Sequence, residues 1–335
     1  MSCLICLEPM EGSESYHDGC LVELFGASRA PDVDVDLAKL HTLALGMVGR
    51  TSLSGIQRKI SVTLSAERGT FRLRAEPGSY ILKPQAQTFP SLPENEQTTM
   101  KLAALVGLET PPCGIVILRD GTRAFITRRF DRVPREEGQK FSIQKLAQED
   151  FCQLAEKSPK EKYDGSSELC VRIVRRYATE PLIELLKLLR AMVFAWWSGN
   201  GDMHLKNFSL LTAGDGITRL SPSYDQLSTR LVIPGDPLAL PVCGKKDRLT
   251  KATWLELARY AQIPERPAAR IMAEIAAQAE AASALISRSF LTDEMKEEYK
   301  ALIEERSRAL SGKIGRSRAR RGSAVTSRRS ARPRR

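Results

Sequence analysis

No stretch of this chain stays apolar for long enough to cross a bilayer. The most apolar window, Leu182 to Trp197, is short and is broken by Glu184, Lys187 and Arg190. The N-terminus lacks a basic segment followed by an apolar run, so no secretory signal is expected and the cytoplasm is the default location. The seven cysteines are odd in number and unevenly spread, which argues against a disulfide framework. No internal repeat of solenoid type is visible. Acidic residues are missing from Lys313 to Arg335, where ten Lys and Arg carry almost all of the net charge of +11. The rest of the chain is therefore close to neutral. A segment rich in Arg, Ser, Gly and Ala cannot bury enough apolar surface to fold alone. It is expected to be either a solvated end or a contact for nucleic acid, where neutralised phosphates release counterions.

What is present is ordinary for a soluble globular protein: 335 residues, 42% hydrophobic and 27% charged. That length supports a sizeable core, expected as two packed lobes. The first lobe reads as β-rich. Ile60-Ser61-Val62-Thr63-Leu64 alternates, Phe71–Arg74 and Tyr80–Pro84 are further strands, and Pro111–Leu118 with Thr122–Thr127 form a hairpin about Asp120-Gly121. Between them, Glu94-Asn95-Glu96 starts a helix over Gln97–Val106, with Met100, Leu102, Ala103 and Leu105 on its apolar surface. A shorter helical pattern runs over Leu37–Leu43; His41 within it has no ligand pattern around it. The polar stretch Val133 to Lys140 marks the boundary to a helical second lobe. There Ile183, Leu186, Leu189, Val193 and Trp196 repeat at helical spacing and should be packed. Ala268–Ile286 and Asp293–Leu310 are expected as two helices, the second capped by Thr292.

The most informative stretch is Gly199-Asn200-Gly201-Asp202-Met203-His204-Leu205-Lys206-Asn207, which follows the apolar helix and leads into a strand at Phe208–Leu211. An Asp followed five positions later by an Asn, with a separate Asp225 downstream, has the form of a protein-kinase-type acidic constellation. In such a site the first Asp orients or deprotonates a hydroxyl. The Asn and second Asp supply the hard oxygen ligands that magnesium requires. Taken alone, Asp and Asn in a Gly-rich loop are also common turn formers. Two further features bear on the choice. Thr51 to Lys59 is a Ser-rich turn that offers backbone N–H groups to a phosphate, although its single glycine departs from the kinase Gly-rich pattern. Lys83 ends a strand, with Glu96 as a candidate partner.

The first twenty residues hold Cys3-x2-Cys6 and His17-x2-Cys20. Three thiols and an imidazole in this arrangement suit a tetrahedral zinc knuckle. The alternative is three reduced cysteines at a partly ordered N-terminus.

Taken together, several of these segments resemble the bacterial HipA-like toxin kinases. They are Ser52–Lys59, Ile81-Leu82-Lys83-Pro84, Asn95-Glu96, Arg129-Phe130-Asp131-Arg132, Gln148-Glu149-Asp150, Gly201–Phe208 and Tyr224-Asp225, in family order over about residues 50–310. The resemblance implies an α+β, bilobal protein-kinase-like fold with a β-rich N-lobe and a mostly helical C-lobe. The corresponding division is a cysteine-rich knuckle (1–26), the N-lobe (27–132), the C-lobe (133–312) and the basic tail (313–335). By the same resemblance Asp202 is the catalytic position, Asn207 and Asp225 hold Mg2+, and Lys83, positioned by Glu96, meets the ATP phosphates. The loop bearing Ser52, Ser54, Gly55, Gln57 and Lys59 covers those phosphates, and Ser52 or Ser54 is autophosphorylated. The implied activity is ATP-dependent serine/threonine protein kinase of a toxin–antitoxin system. Its implied partners are an aminoacyl-tRNA synthetase as substrate and a cognate antitoxin, with DNA reached through the antitoxin or the tail. Only about fifty residues precede the loop, as in the short HipT-like form, whose missing subdomain is a separate small protein. Arg128 stands where the family commonly has Glu, which puts a side-chain contact to adenine in doubt. Two other readings of the same residues are a small-molecule phosphotransferase on this fold and an inactive nucleic-acid-binding module.

Overall fold

The structure, a computed structural model, describes residues 1–33, 37–38, 51–52, 57–67, 70–74, 78–137 and 140–312. Ser54, Gly55, His41 with most of the 37–43 helix, and the basic tail all lie outside the described residues.

Helix α1 (Asp18–Phe25) follows the N-terminal turn. Strands β1 (Thr51–Ser52) and β2 (Gln57–Arg58) pair antiparallel, with Ser52 opposite Gln57. Strands β3 (Ile60–Glu67), β4 (Thr70–Arg74) and β5 (Tyr80–Pro84) precede helix α2 (Leu92–Leu105) and the hairpin β6 (Cys113–Ile117) and β7 (Arg123–Arg128). Five of these strands form one antiparallel sheet in the order β4-β3-β5-β7-β6. The alternation seen in the sequence is the reason: Ile60, Val62, Tyr80, Leu82, Ala124 and Ile126 bury on one face, against Leu21, Leu24 and Phe25 of α1.

Helix α2 begins five residues earlier than Glu94-Asn95-Glu96-Gln97 suggested, with Pro93 in its first turn. Several of its polar residues are buried against partners in the helical lobe. Asn95 donates from Nδ2 to the Ser228 carbonyl and accepts at Oδ1 from the Ser228 amide, both at 2.9 Å. The Thr99 hydroxyl is 2.9 Å from the Tyr299 hydroxyl. Through these bonds α2 joins the sheet to the helical lobe.

Among the described residues, the polar stretch from Val133 is extended strand. Strand β8 (Arg132–Glu137) pairs antiparallel with β9 (Lys140–Lys145), in register from Arg132 opposite Lys145 to Glu137 opposite Lys140. Strand β10 (Ala147–Asp150) leads into the one-turn helix α3 (Phe151–Leu154), closed by a capping box between Asp150 and Gln153. Helices α4 (Ser167–Tyr177) and α5 (Pro181–Ser198) follow, then β11 (Ser209–Thr212) and β12 (Thr218–Leu220), which extend β10 into a three-stranded sheet. Helices α6 (Lys251–Tyr260), α7 (Glu265–Ala277), α8 (Ala279–Arg288) and α9 (Asp293–Ser311) complete the lobe.

Leu189, Val193 and Trp196 are buried and Leu186 packs against the core, as their spacing predicts. Ile183 is not packed: it lies in the first turn of α5, 52% exposed, before the helix meets its neighbours. The single helix expected over Ala268–Ile286 is two helices, parted at Gln278, where φ −81° and ψ 2° leave the α region. Thr292 caps α9 by accepting from the Met295 amide at 3.3 Å. Trp197 is fully buried and donates to Ser307 Oγ at 2.8 Å, tying α5 to α9. Among the described residues, no helix is long and apolar enough to cross a membrane.

Candidate active site

Helix α5 stops because Gly199 takes a left-handed conformation, φ 79°. The loop after it is set by Asn200, which is fully buried. Asn200 Oδ1 accepts from the Asp202 amide at 3.1 Å, and Nδ2 donates to Gln226 Oε1 at 3.1 Å and to the Asp225 carbonyl at 3.4 Å. One side chain therefore links the two acids. Gly201 must be glycine: a Cβ there would fall 2.1 Å from Asp236 Oδ2 and 2.6 Å from the Pro237 carbonyl oxygen. Asn207 donates from Nδ2 to the Asp202 carbonyl at 2.8 Å, so its Oδ1 is the amide atom left for a cation. Lys206 pairs with Asp150 at 2.6 Å and fastens the loop to β10.

Asp202 is three-quarters or more shielded, and burial raises its carboxyl above the ordinary range. The Tyr163 hydroxyl, 2.6 Å from Oδ1, and the Lys162 ammonium oppose that rise without cancelling it. His204 is 1% exposed, edge-on to the Tyr163 ring at 5.0 Å, and its Nε2 stands 3.9 Å from Asp202 Oδ1. Burial and Lys162 push its imidazole from 6.5 down to about 3, so it is neutral.

Across the cleft, Lys83 on β5 is 3% exposed and is paired with Glu96 of α2, itself 1% exposed. Lys83 also donates to Asp225 Oδ1 at 2.6 Å, and Lys59 pairs with Asp225 Oδ2. Burial would raise the Asp225 carboxyl, but the two ammonium groups outweigh it and hold it well below the ordinary carboxylate range. Asp225 has φ 55°, a left-handed backbone that a non-glycine residue seldom adopts, as is common where a loop is held for function.

The pattern described as HipA-like C-terminal domain matches residues 51–283. The chain belongs to that HipA-like family. It is 34% identical over 200 residues to "Putative kinase Y4mE" of Sinorhizobium fredii, covering 58% of this chain and 46% of that one. It is 30% identical over 250 residues to "Putative kinase Y4dM" of the same organism, covering 70% and 58%. The chain thus spans about half the length of the curated relatives it matches. Among solved structures, HipA in the Shewanella oneidensis complex of HipA, HipB and operator DNA aligns with TM-score 0.66 at 21% identity, covering 79% of this chain and 66% of that one. The Helicobacter pylori proinflammatory kinase CtkA aligns with TM-score 0.52 at 14% identity, covering 75% and 94%. These likenesses show the α+β, two-lobed HipA-like kinase fold expected from the sequence.

Within this HipA-like chain, the structure brings Lys59, Lys83, Glu96 and Asp225 together, and Asn200 joins Asp225 to Asp202 and Asn207. Ser52 and Gln57 lie opposite each other on β1 and β2. Sequence reasoning missed Tyr163, Lys162 and the bridging role of Asn200. Tyr163 and Lys162 sit in a polar stretch with no periodic or motif signal. Asn200 looked like a turn former beside Gly199 and Gly201.

The residues present fit magnesium and a nucleotide. Asp225 is ionised, the Asn207 amide oxygen accepts no hydrogen bond among the described residues, and two lysines converge on the same carboxylate.

Proposed function

We propose that this chain is an ATP- and Mg2+-dependent serine/threonine protein kinase of a toxin–antitoxin system. The observation that carries the reading is the linkage of two acids in different states, an ionised Asp225 clasped by lysines and an Asp202 with a raised carboxyl pKa, through Asn200. Magnesium-ATP supplies the phosphoryl group and the charge neutralisation that such transfer needs. The chain's own residues divide the remaining work. Asp202 accepts a hydrogen bond from the acceptor hydroxyl and takes its proton, its raised pKa making it a stronger base than an exposed carboxylate. Tyr163 orients Asp202. Asn207 and Asp225 would hold the cation, and Lys83, positioned by Glu96, would meet the phosphates together with Lys59.

Ser52 or Ser54 is the proposed autophosphorylation site. A phosphoserine there brings a charge of about −1.5 to −2 that repels the nucleotide. Support for the system comes from the structural likeness to HipA in its complex with HipB and DNA. An antitoxin and DNA bound through it are the proposed partners. An aminoacyl-tRNA synthetase is the proposed protein substrate, and the cytoplasm the proposed location.

The test is ATP-dependent labelling of the chain or of a lysate protein. Asp202→Asn should lose labelling by about 10²–10⁴-fold while keeping nucleotide binding, and Asp225→Asn should lose both. Labelling by Asp202→Asn at the unsubstituted rate would refute the assignment.

A further inference from the structure

Four side chains at the N-terminus take no part in this site. Ligand atoms of Cys3, Cys6, His17 and Cys20 all lie within 4.8 Å of one another. His17 Nδ1 is 3.3 Å from Cys6 Sγ and 3.9 Å from Cys20 Sγ. A tetrahedral zinc with bonds of about 2.0–2.3 Å separates its ligand atoms by roughly 3.5–3.8 Å, so the cluster already has the size of a zinc tetrahedron. A second observation concerns the imidazole. His17 Nε2 is 3.2 Å from the Pro9 carbonyl oxygen, which can only accept. The ring proton is therefore on Nε2, and the Nδ1 lone pair faces the thiols. A carbonyl fixing the far nitrogen in this way is the usual support of a metal-bound histidine. The Ile5 amide points at Cys3 Sγ at 3.4 Å, a donor suited to a thiolate.

The turn that carries Cys3 and Cys6 also touches both lobes. The Leu4 carbonyl accepts from the Ile115 amide at 2.8 Å, on the outer edge of β6, and from Gln97 Nε2 of α2. The Ile5 carbonyl accepts from Gln97 Nε2 at 3.3 Å. Gly114 leaves room for this approach, since a Cβ there would lie 2.8 Å from Ile5 Cγ1. On the other side Leu7 packs in the core of the helical lobe, and Arg288 of α8 donates to the Leu7 carbonyl at 3.3 Å and pairs with Glu8 at 2.7 Å.

We propose that Cys3, Cys6, His17 and Cys20 bind one structural zinc ion, and that this centre holds the N-terminal turn as a clamp between β6, α2 and α8. On binding, the three thiols release their protons to solvent and His17 ligates through Nδ1, giving three Zn–S bonds and one Zn–N bond. Gln97 follows Glu96 in α2, so on the kinase reading above the clamp also steadies the helix that positions Lys83.

The experiment uses the full chain without a histidine tag. Metal analysis should find about one zinc per chain, with Cys6→Ser and Cys20→Ser nearly metal-free and Cys152→Ser, altered at a buried thiol of the helical lobe, unchanged. Because the first two variants could fail to fold, the unsubstituted chain is also stripped with chelator and titrated with cobalt(II). Thiolate charge-transfer and intense tetrahedral bands are expected; the faint spectrum of octahedral cobalt would overturn the proposal. So would metal-free protein with a Cys6–Cys20 disulfide, two hydrogens lighter. Hydrogen exchange at the Ile115 amide and along α2 should quicken by roughly tenfold or more on stripping; unchanged exchange in a chain that does bind zinc would overturn the clamp. None of these measurements uses phosphoryl transfer, so their failure and that of the kinase assignment are separable.

Discussion

The Tyr163 hydroxyl donates to Asp202 Oδ1 at 2.6 Å, tying the stretch before α4 to a loop 39 positions later. This bond favours the ionised carboxylate against the burial that disfavours it. Tyr163→Phe removes the bond and leaves the ring, so the Asp202 pKa should rise further. A protonated Asp202 cannot take a proton, so activity falls as pH drops through that pKa. The acidic limb of the pH–rate profile should therefore move to higher pH, with little change in nucleotide affinity. An unshifted limb would show that Tyr163 only packs.

Lys83 and Glu96 form a buried pair whose members cannot be removed singly at low cost. Lys83→Met leaves Glu96 buried, and Glu96 Oε2 already has no hydrogen-bond partner among the described residues. Breaking a buried pair in this way costs about 3–5 kcal/mol. The double variant Lys83→Met/Glu96→Met removes the stranded charge and should lose less stability than Lys83→Met alone. Denaturant unfolding of the two singles and the double measures the difference.

His204 makes stability depend on acid. The unfolded chain binds a proton near 6.5, the folded chain only near 3. Stability from the neutral ring is complete above 6.5 and is lost as pH falls toward 3. His204→Phe keeps the edge contact with Tyr163 and should flatten the fall in melting temperature across that window.

Gly201→Ala tests the close approach of two segments. The added methyl meets Asp236 and the Pro237 carbonyl, and such overpacking costs about 1–3 kcal/mol. Because the clash lies next to Asp202, thermal stability and labelling rate should fall together.

Residue types and short-range order were enough to determine a good deal of this protein. Alternation placed β3, Asp120-Gly121 the hairpin, and Thr292 the start of α9, because each depends on residues within one turn or one strand. Asp202, Asn207, Asp225, Lys83 and Glu96 could be picked out as candidates because acid, amide and amine side chains in that order suit phosphate and cation chemistry, although the loop residues taken alone also suit a turn. Only the tertiary structure decided which of them meet. Lys59 and Asp225 pair across 166 positions, and Asn95 meets Ser228 across 133. The same dependence explains the misreadings. Ile183 had the right period but is exposed in the first turn of α5, and the helix expected over Ala268–Ile286 is parted at Gln278. Local sequence carries local conformation and chemical capacity. Burial, partner choice and pKa arise from groups far apart in the chain, which come together only when the two lobes pack.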